Sequence, residues 1–107
     1  MSNVVDLQQR QPSRLSRDQF KARIVALVEA GCVKISGHLK RDHPERHISP
    51  AQIEKCLLKG TVQTDPSVNS FGNWESEVYR HMAGQELIVV AAIEWEKQVI
   101  VVTAYEP

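Results

Sequence analysis

Apolar residues recur at Phe20, Ile24, Leu27 and Val28, the i, i+4, i+7, i+8 spacing that sets one stripe along a helix. Ser16 followed three residues later by Gln19 is a capping-box pattern at the start of that stripe, and Gly31 suits the left-handed backbone on which helices often end. This spacing predicts a first helix beginning near Ser16 and stopping at Gly31. Val33-Lys34-Ile35 is too short for a helix and rich in β-branching, and reads as a short strand. Leu39 to His43 has room for a helical turn, which Pro44 stops by disfavouring helical backbone at His43. Ser49, Pro50 and Gln52 form a second capping box with proline at the first helical position. Ile53, Cys56 and Leu57 supply its apolar stripe, so a second helix is expected over about 50–59, ending at Gly60.

Beyond Gly60 the period changes to two. Thr61 to Thr64 alternates weakly, and residues 65–73 have the composition of turns. Trp74, Ser76, Val78, Arg80 and Met82 fall on one face of a strand, with Glu75, Glu77, Tyr79 and His81 on the other. Ala83-Gly84-Gln85 closes a hairpin. The apolar runs Leu87 to Ile93 and Val99 to Thr103 read as central strands buried on both faces. The expected architecture is α+β, with two N-terminal helices packed on a three- to four-stranded antiparallel meander sheet. Residues 1–15 are polar and without period, and are expected to form a flexible arm before a single domain over 16–107.

A length of 107 residues agrees with one domain. No apolar run reaches the ~18 residues of a membrane span, and the N-terminus lacks the order of a secretion signal, so the expectation is a cytoplasmic protein without membrane association. Cys32 and Cys56 have no C-x-x-C spacing and read as reduced thiols, Cys56 on the apolar face of the second helix. The formal charge is zero, from 13 Lys and Arg against 13 Asp and Glu. Split along the chain, residues 1–33 carry five cations and three anions (+2), residues 34–60 six and three (+3), and residues 61–107 two and seven (−5). The neutral total conceals a basic front and an acidic back.

The stretch from Ile35 to Ser49 holds His38, His43 and His47 among Lys40, Arg41 and Arg46. Three readings compete for it. His43 and His47 have the i, i+4 spacing of a metal pair, with Pro44 between them and no third ligand at a zinc-like spacing. Alternatively, a histidine exchanging protons near neutral pH and an arginine fork suit a phosphodiester. RNA carries its own 2′-hydroxyl nucleophile, so its cleavage calls for proton transfer and charge stabilisation without a cofactor. The third reading is structural, with Arg46 paired locally to Glu45 and the histidines at the surface. No nucleotide-binding glycine loop, G-x-S-x-G or H-E-x-x-H motif is present. Trp74 and Trp95, at strand ends, suit either core packing or stacking on bases.

Ser36-x-His38, Glu45-Arg46-x-Ile48-Ser49, a capped helix ending at Gly60, Asp65-Pro66, the strand Leu87 to Ile93 and the closing Thr103-Ala104-Tyr105-Glu106-Pro107 occur in that order. From about Phe20 to Pro107 this order resembles a bacterial domain-of-unknown-function family with an S-x-H…E-R-x-I-[ST]…T-x-Y-x-P signature. Families of this type are grouped by fold with the RelE/ParE-like toxins and the colicin-type ribonucleases. The resemblance implies a RelE-like, toxin-type endoribonuclease that cleaves RNA through the 2′-hydroxyl without metal or cofactor. In that reading His38, Arg46 and Tyr105 are catalytic, and Arg41, Arg80, His81 and Thr103 bind substrate. Asp42 stands where the family carries its first arginine, with Arg41 one position earlier and His43 in place of the following methionine. Ile88 stands where relatives carry a histidine. The alternative is a non-catalytic binding or dimerisation module that pairs through a strand edge. The partners expected across these readings are RNA, an antitoxin-like protein or a second copy; a metal-dependent hydrolase would instead hold zinc or manganese.

Overall fold

Both predicted capping boxes close reciprocally. The Gln19 N–H donates to Ser16 Oγ at 3.1 Å while the Ser16 N–H donates to Gln19 Oε1 at 2.9 Å. Ser49 and Gln52 repeat the exchange at 3.2 and 2.7 Å. These boxes satisfy amide groups that have no partner within the helix. They start α1 (Arg17–Glu29) and α2 (Pro50–Lys59). α1 ends as Gly31 at φ +79° lets its own N–H reach the Val28 carbonyl and the Cys32 N–H reach that of Leu27, both at 2.9 Å. The computed structural model describes residues 11–36 and 48–107.

Six strands form one sheet: β1 (Val33–Ile35), β2 (Thr61–Val62), β3 (Ser67–Val68), β4 (Trp74–Met82), β5 (Gln85–Glu94) and β6 (Gln98–Tyr105). The spatial order is β1-β6-β5-β4-β2, with β3 also on β4. β4, β5 and β6 run antiparallel, whereas β1 lies parallel to β6 with Ile35 opposite Val101. This corrects the expectation of a RelE/ParE-like α+β domain with two N-terminal helices on a three- to four-stranded antiparallel meander. The sheet is six-stranded and mixed, and β1 enters it between the two helices. The physical reason is length. The two-residue β2 and β3 carry too little alternation to announce themselves, and β1, though legible as a strand, has its partner more than sixty residues away in sequence.

One sheet face carries both helices. Val78, Val89, Ala91, Ile93, Val99, Val101 and Ala104 meet Phe20, Ile24, Ile53 and Leu57 in a continuous core. Burying a side chain such as Phe20 contributes about 1.5–3 kcal/mol. No described element lies across the other face, yet β5 is buried on both sides as expected, at Ile88 and Ala92 as well as at Val89, Ala91 and Ile93, whereas β6 is buried only toward the helices and half-buried on the other side. On β6 the half-buried Ile100, Thr103 and Tyr105 alternate with buried core residues, and a bulge adds Val102. Between β4 and β5, Ala83 and Gly84 both take positive φ, at 49° and 80°, the geometry of a two-residue hairpin turn. Gly60 is required for another reason: a Cβ there would lie 2.5 Å from the Cys56 carbonyl oxygen and 2.6 Å from that of Tyr79. Ahead of α1, the Trp74 indole N–H donates to the Pro12 carbonyl at 3.0 Å, and Leu15 packs against the core.

Candidate functional site on the open sheet face

Cross-strand register arranges the uncovered face into rows, because residues directly opposite one another project to the same side. Tyr79, Ile88 and Tyr105 form a row across β4, β5 and β6. Glu77, Val90 and Thr103 form the next, followed by Glu75, Ala92 and Ile100, with Lys34 beside Ile100 on β1. His81 stands opposite Glu86 at the far end. Ile88 is only 7% exposed although no described helix covers it, and its cross-strand neighbours are Tyr79 and Tyr105. The histidine expected on this strand from the family pattern is thus replaced by an aliphatic side chain in a tyrosine-flanked row.

Among the residues singled out from sequence, Thr103, Tyr105 and His81 share this face. Two strand spacings separate β4 from β6, so His81 and Tyr105 stand about 10 Å or more apart. Arg80, one position from His81, faces the helices as the alternation predicts, and its Nη1 is buried without a hydrogen-bond partner. His38, Arg41 and Arg46 lie outside the described residues, as do the His43 and His47 of the metal reading and the helical turn expected over Leu39 to His43.

Tyr79, Asn69 and Phe71 carried no functional role in the sequence reading. Tyr79 was legible as the aromatic on the polar side of β4. Asn69 and Phe71 fall in the stretch read as turn, part of which forms β3, and an aromatic residue in such a turn was the available signal. Asn69 organises the turn. Its Oδ1 accepts from the Phe71 N–H at 2.9 Å and the Asn73 N–H at 3.1 Å, and its N–H donates to the Asn73 carbonyl at 2.8 Å.

The electrostatics of the face are one-sided. Glu75 accepts from Asn69 Nδ2 at 3.0 Å, Glu77 from Gln63 Nε2 at 2.8 Å, Glu86 from the Tyr79 hydroxyl at 2.6 Å and Glu94 from Gln98 Nε2 at 2.7 Å. Each carboxylate is held by a neutral donor. The ion pairs among the described residues are Arg17 with Asp65 and Arg23 with Glu96, and among those residues these four carboxylates have no cationic partner. The hydrogen bond to Glu86 pushes the Tyr79 hydroxyl above its ordinary pKa, since the phenolate would lose the bond and face a carboxylate.

Under the helices the chemistry is muted. Burial raises the Cys56 thiol to about 11, against the opposing pull of Lys21 and Arg80, so it is held as the unreactive protonated form. Burial also lowers the Lys21 ammonium, which donates to the Gly60 carbonyl. Among the described residues no three His, Cys, Asp or Glu side chains are grouped to hold a metal ion.

The fold and face define a small mixed-sheet domain, helices on one side and a tyrosine- and carboxylate-bearing surface on the other. The chain belongs to the family described as domain of unknown function DUF4258, whose model matches residues 35–106. The match takes in the histidine- and arginine-bearing segment, α2 and strands β2 to β6, while α1 lies outside it and still supplies Phe20 and Ile24 to the core. No curated protein and no solved structure matches the chain.

Proposed function

We propose that this domain cleaves RNA through the 2′-hydroxyl, with His38, Arg46 and Tyr105 in one site. The observation that carries the reading is the parallel pairing of β1 with β6. It sets Ser36 beside Val101, with the Ser36 N–H donating to the Val101 carbonyl at 3.1 Å, on the strand that then presents Thr103 and Tyr105. His38 follows Ser36 by two positions in the chain, and Arg41 and Arg46 come soon after. β1 and β6 contribute Lys34 and no carboxylate to the face, whose acids sit on β4 and β5. A polyanion thus meets the least repulsion along the β1–β6 side.

In this mechanism His38 takes the proton from the 2′-hydroxyl as its oxygen attacks phosphorus. The 5′-oxygen leaves with the electrons of its bond to phosphorus and takes a proton from water, giving a 2′,3′-cyclic phosphate and a 5′-hydroxyl. The Arg46 fork neutralises the charge that develops on the non-bridging oxygens, where such stabilisation lowers the barrier most. Tyr105 donates to the same phosphate, with Arg41 and Thr103 lining its approach.

The test is incubation of the purified protein with single-stranded RNA in excess EDTA, followed by analysis of the product ends. Cyclic phosphate ends are expected. His38→Ala should slow the reaction by about 10²–10⁴, the usual worth of a positioned proton-transfer group. Arg46→Ala and Tyr105→Phe should slow it with the fold intact by circular dichroism. Intact RNA after prolonged incubation, or cleavage that His38→Ala leaves unchanged, overturns the reading.

A further inference from the structure

We propose that the open face, at the end bearing the β3–β4 turn, docks a cationic polypeptide segment with Phe71 as its aromatic anchor. This proposal stands independently of RNA cleavage. A groove of about 500 Å³ lies there, with Ala92, Ile100 and Val102 forming its apolar floor and Phe71 and Glu94 on its wall. Phe71 is 86% exposed. A large apolar side chain displayed beside an apolar groove marks an interaction surface.

Phe71 is also held in place. The Asn69 side chain bonds the backbone on both sides of it, the Gly72 N–H donates to the Asn69 carbonyl at 3.0 Å, and Gln11 donates to the Gly72 carbonyl at 2.9 Å. With the backbone that carries the anchor fixed before binding, less entropy is lost on association.

Charge selects the occupant. Glu94 lines the groove, Glu75 stands opposite its Ala92, and Glu77 and Glu86 continue along the same face, all bound to neutral donors and outnumbering Lys34, which stands beside Ile100. Nucleic acid would bring phosphates against these four carboxylates, and a second copy would oppose them with its own. A polypeptide alternating Lys or Arg with apolar residues matches both properties: apolar side chains enter the groove while cations meet the carboxylates.

The probe is a twelve-residue alternating Lys-Val peptide, with a Glu-Val peptide and a single-stranded RNA oligonucleotide as controls, titrated into the ¹⁵N-labelled full chain. The Lys-Val peptide should shift the amide signals of Phe71, Ala92, Ile100 and Val102, with a Kd that rises with salt, and the Glu-Val peptide should not bind. Phe71→Ser should weaken binding about tenfold, as loss of an aromatic anchor does, and its exposure leaves the fold intact. Glu75→Gln/Glu94→Gln should also weaken binding and flatten the salt dependence. No binding, shifts confined to other surfaces, equal affinity of Phe71→Ser, or RNA shifting the Phe71 and Ala92 amides, away from the β1–β6 side, overturns the proposal. So does a dimer in sedimentation that Phe71→Ser dissociates. Because the readout is binding at the Phe71 end, its failure is separate from any failure of RNA cleavage.

Discussion

The Tyr79 hydroxyl donates a 2.6 Å hydrogen bond to the Glu86 carboxylate, one diagonal step across β4 and β5. Ionising the phenol would break this bond and set two negative charges together, so Tyr79 titrates above its ordinary range. In a Tyr105→Phe background, phenolate absorbance should show Tyr79 titrating late, and Glu86→Gln should move that titration down. An unchanged titration in Glu86→Gln would remove the assigned cause. The folded-state pKa is raised, so the stability this bond contributes is complete below the unfolded tyrosine's pKa and is lost as pH climbs through the folded one.

Cys56 adds to the same alkaline window. Its thiol is raised from 9.0 to about 11 by burial, so its contribution is present below about pH 9 and falls as pH rises through 11. A thiol reagent at pH 8 should label the partly exposed Cys32 in the native protein and reach Cys56 only as fast as the chain opens. Equal labelling rates for the two cysteines would contradict the burial.

Gly60→Ala and Gly84→Ala separate two reasons for glycine. At Gly60 the added methyl meets backbone oxygens of Cys56 and Tyr79 at 2.5 and 2.6 Å, pinched between α2 and β4. The expected loss is about 3 kcal/mol, at the upper end of overpacking costs. At Gly84 the space is open and the strain lies in φ +80°, for about 1–2 kcal/mol. Urea unfolding of both variants checks the order, and a Gly84→Ala that cost more than Gly60→Ala would reverse it.

Arg80 keeps Nη1 buried and unpaired beneath the helices. An unmet buried donor costs about 1–3 kcal/mol, so Arg80→Met, which retains the stem and removes the donor, should raise stability by about 1 kcal/mol. A lowered melting temperature in that variant would mean that the guanidinium contributes more than its desolvation costs.

Local chemistry was legible at the level of single turns and single strands. Both capping boxes, the stripes of Phe20, Ile24, Leu27 and Val28 and of Ile53, Cys56 and Leu57, and the alternation along β4 all appear where the spacing placed them. These features depend on residues one to four positions apart, whose geometry is set by the helix and strand periods themselves. The candidate site was less legible. Thr103 and Tyr105 were named from a motif, but their row with Ile88 and Tyr79 exists only through the register of three strands. The turn built on Asn69 shows in sequence as turn-forming residues, with no mark of the groove beside Phe71.

The apolar and polar periods therefore decided which residues each element would bury, and the segmental charge split foretold an acidic β region. Tertiary structure alone chose the parallel partner of β1, recruited β2 and β3, and set both described helices on one sheet face, so that Glu75, Glu77, Glu86 and Glu94 share the other. Strand order and face coverage depend on contacts between segments tens of residues apart, and neither a three-residue strand nor an alternating one encodes its neighbour in its own period.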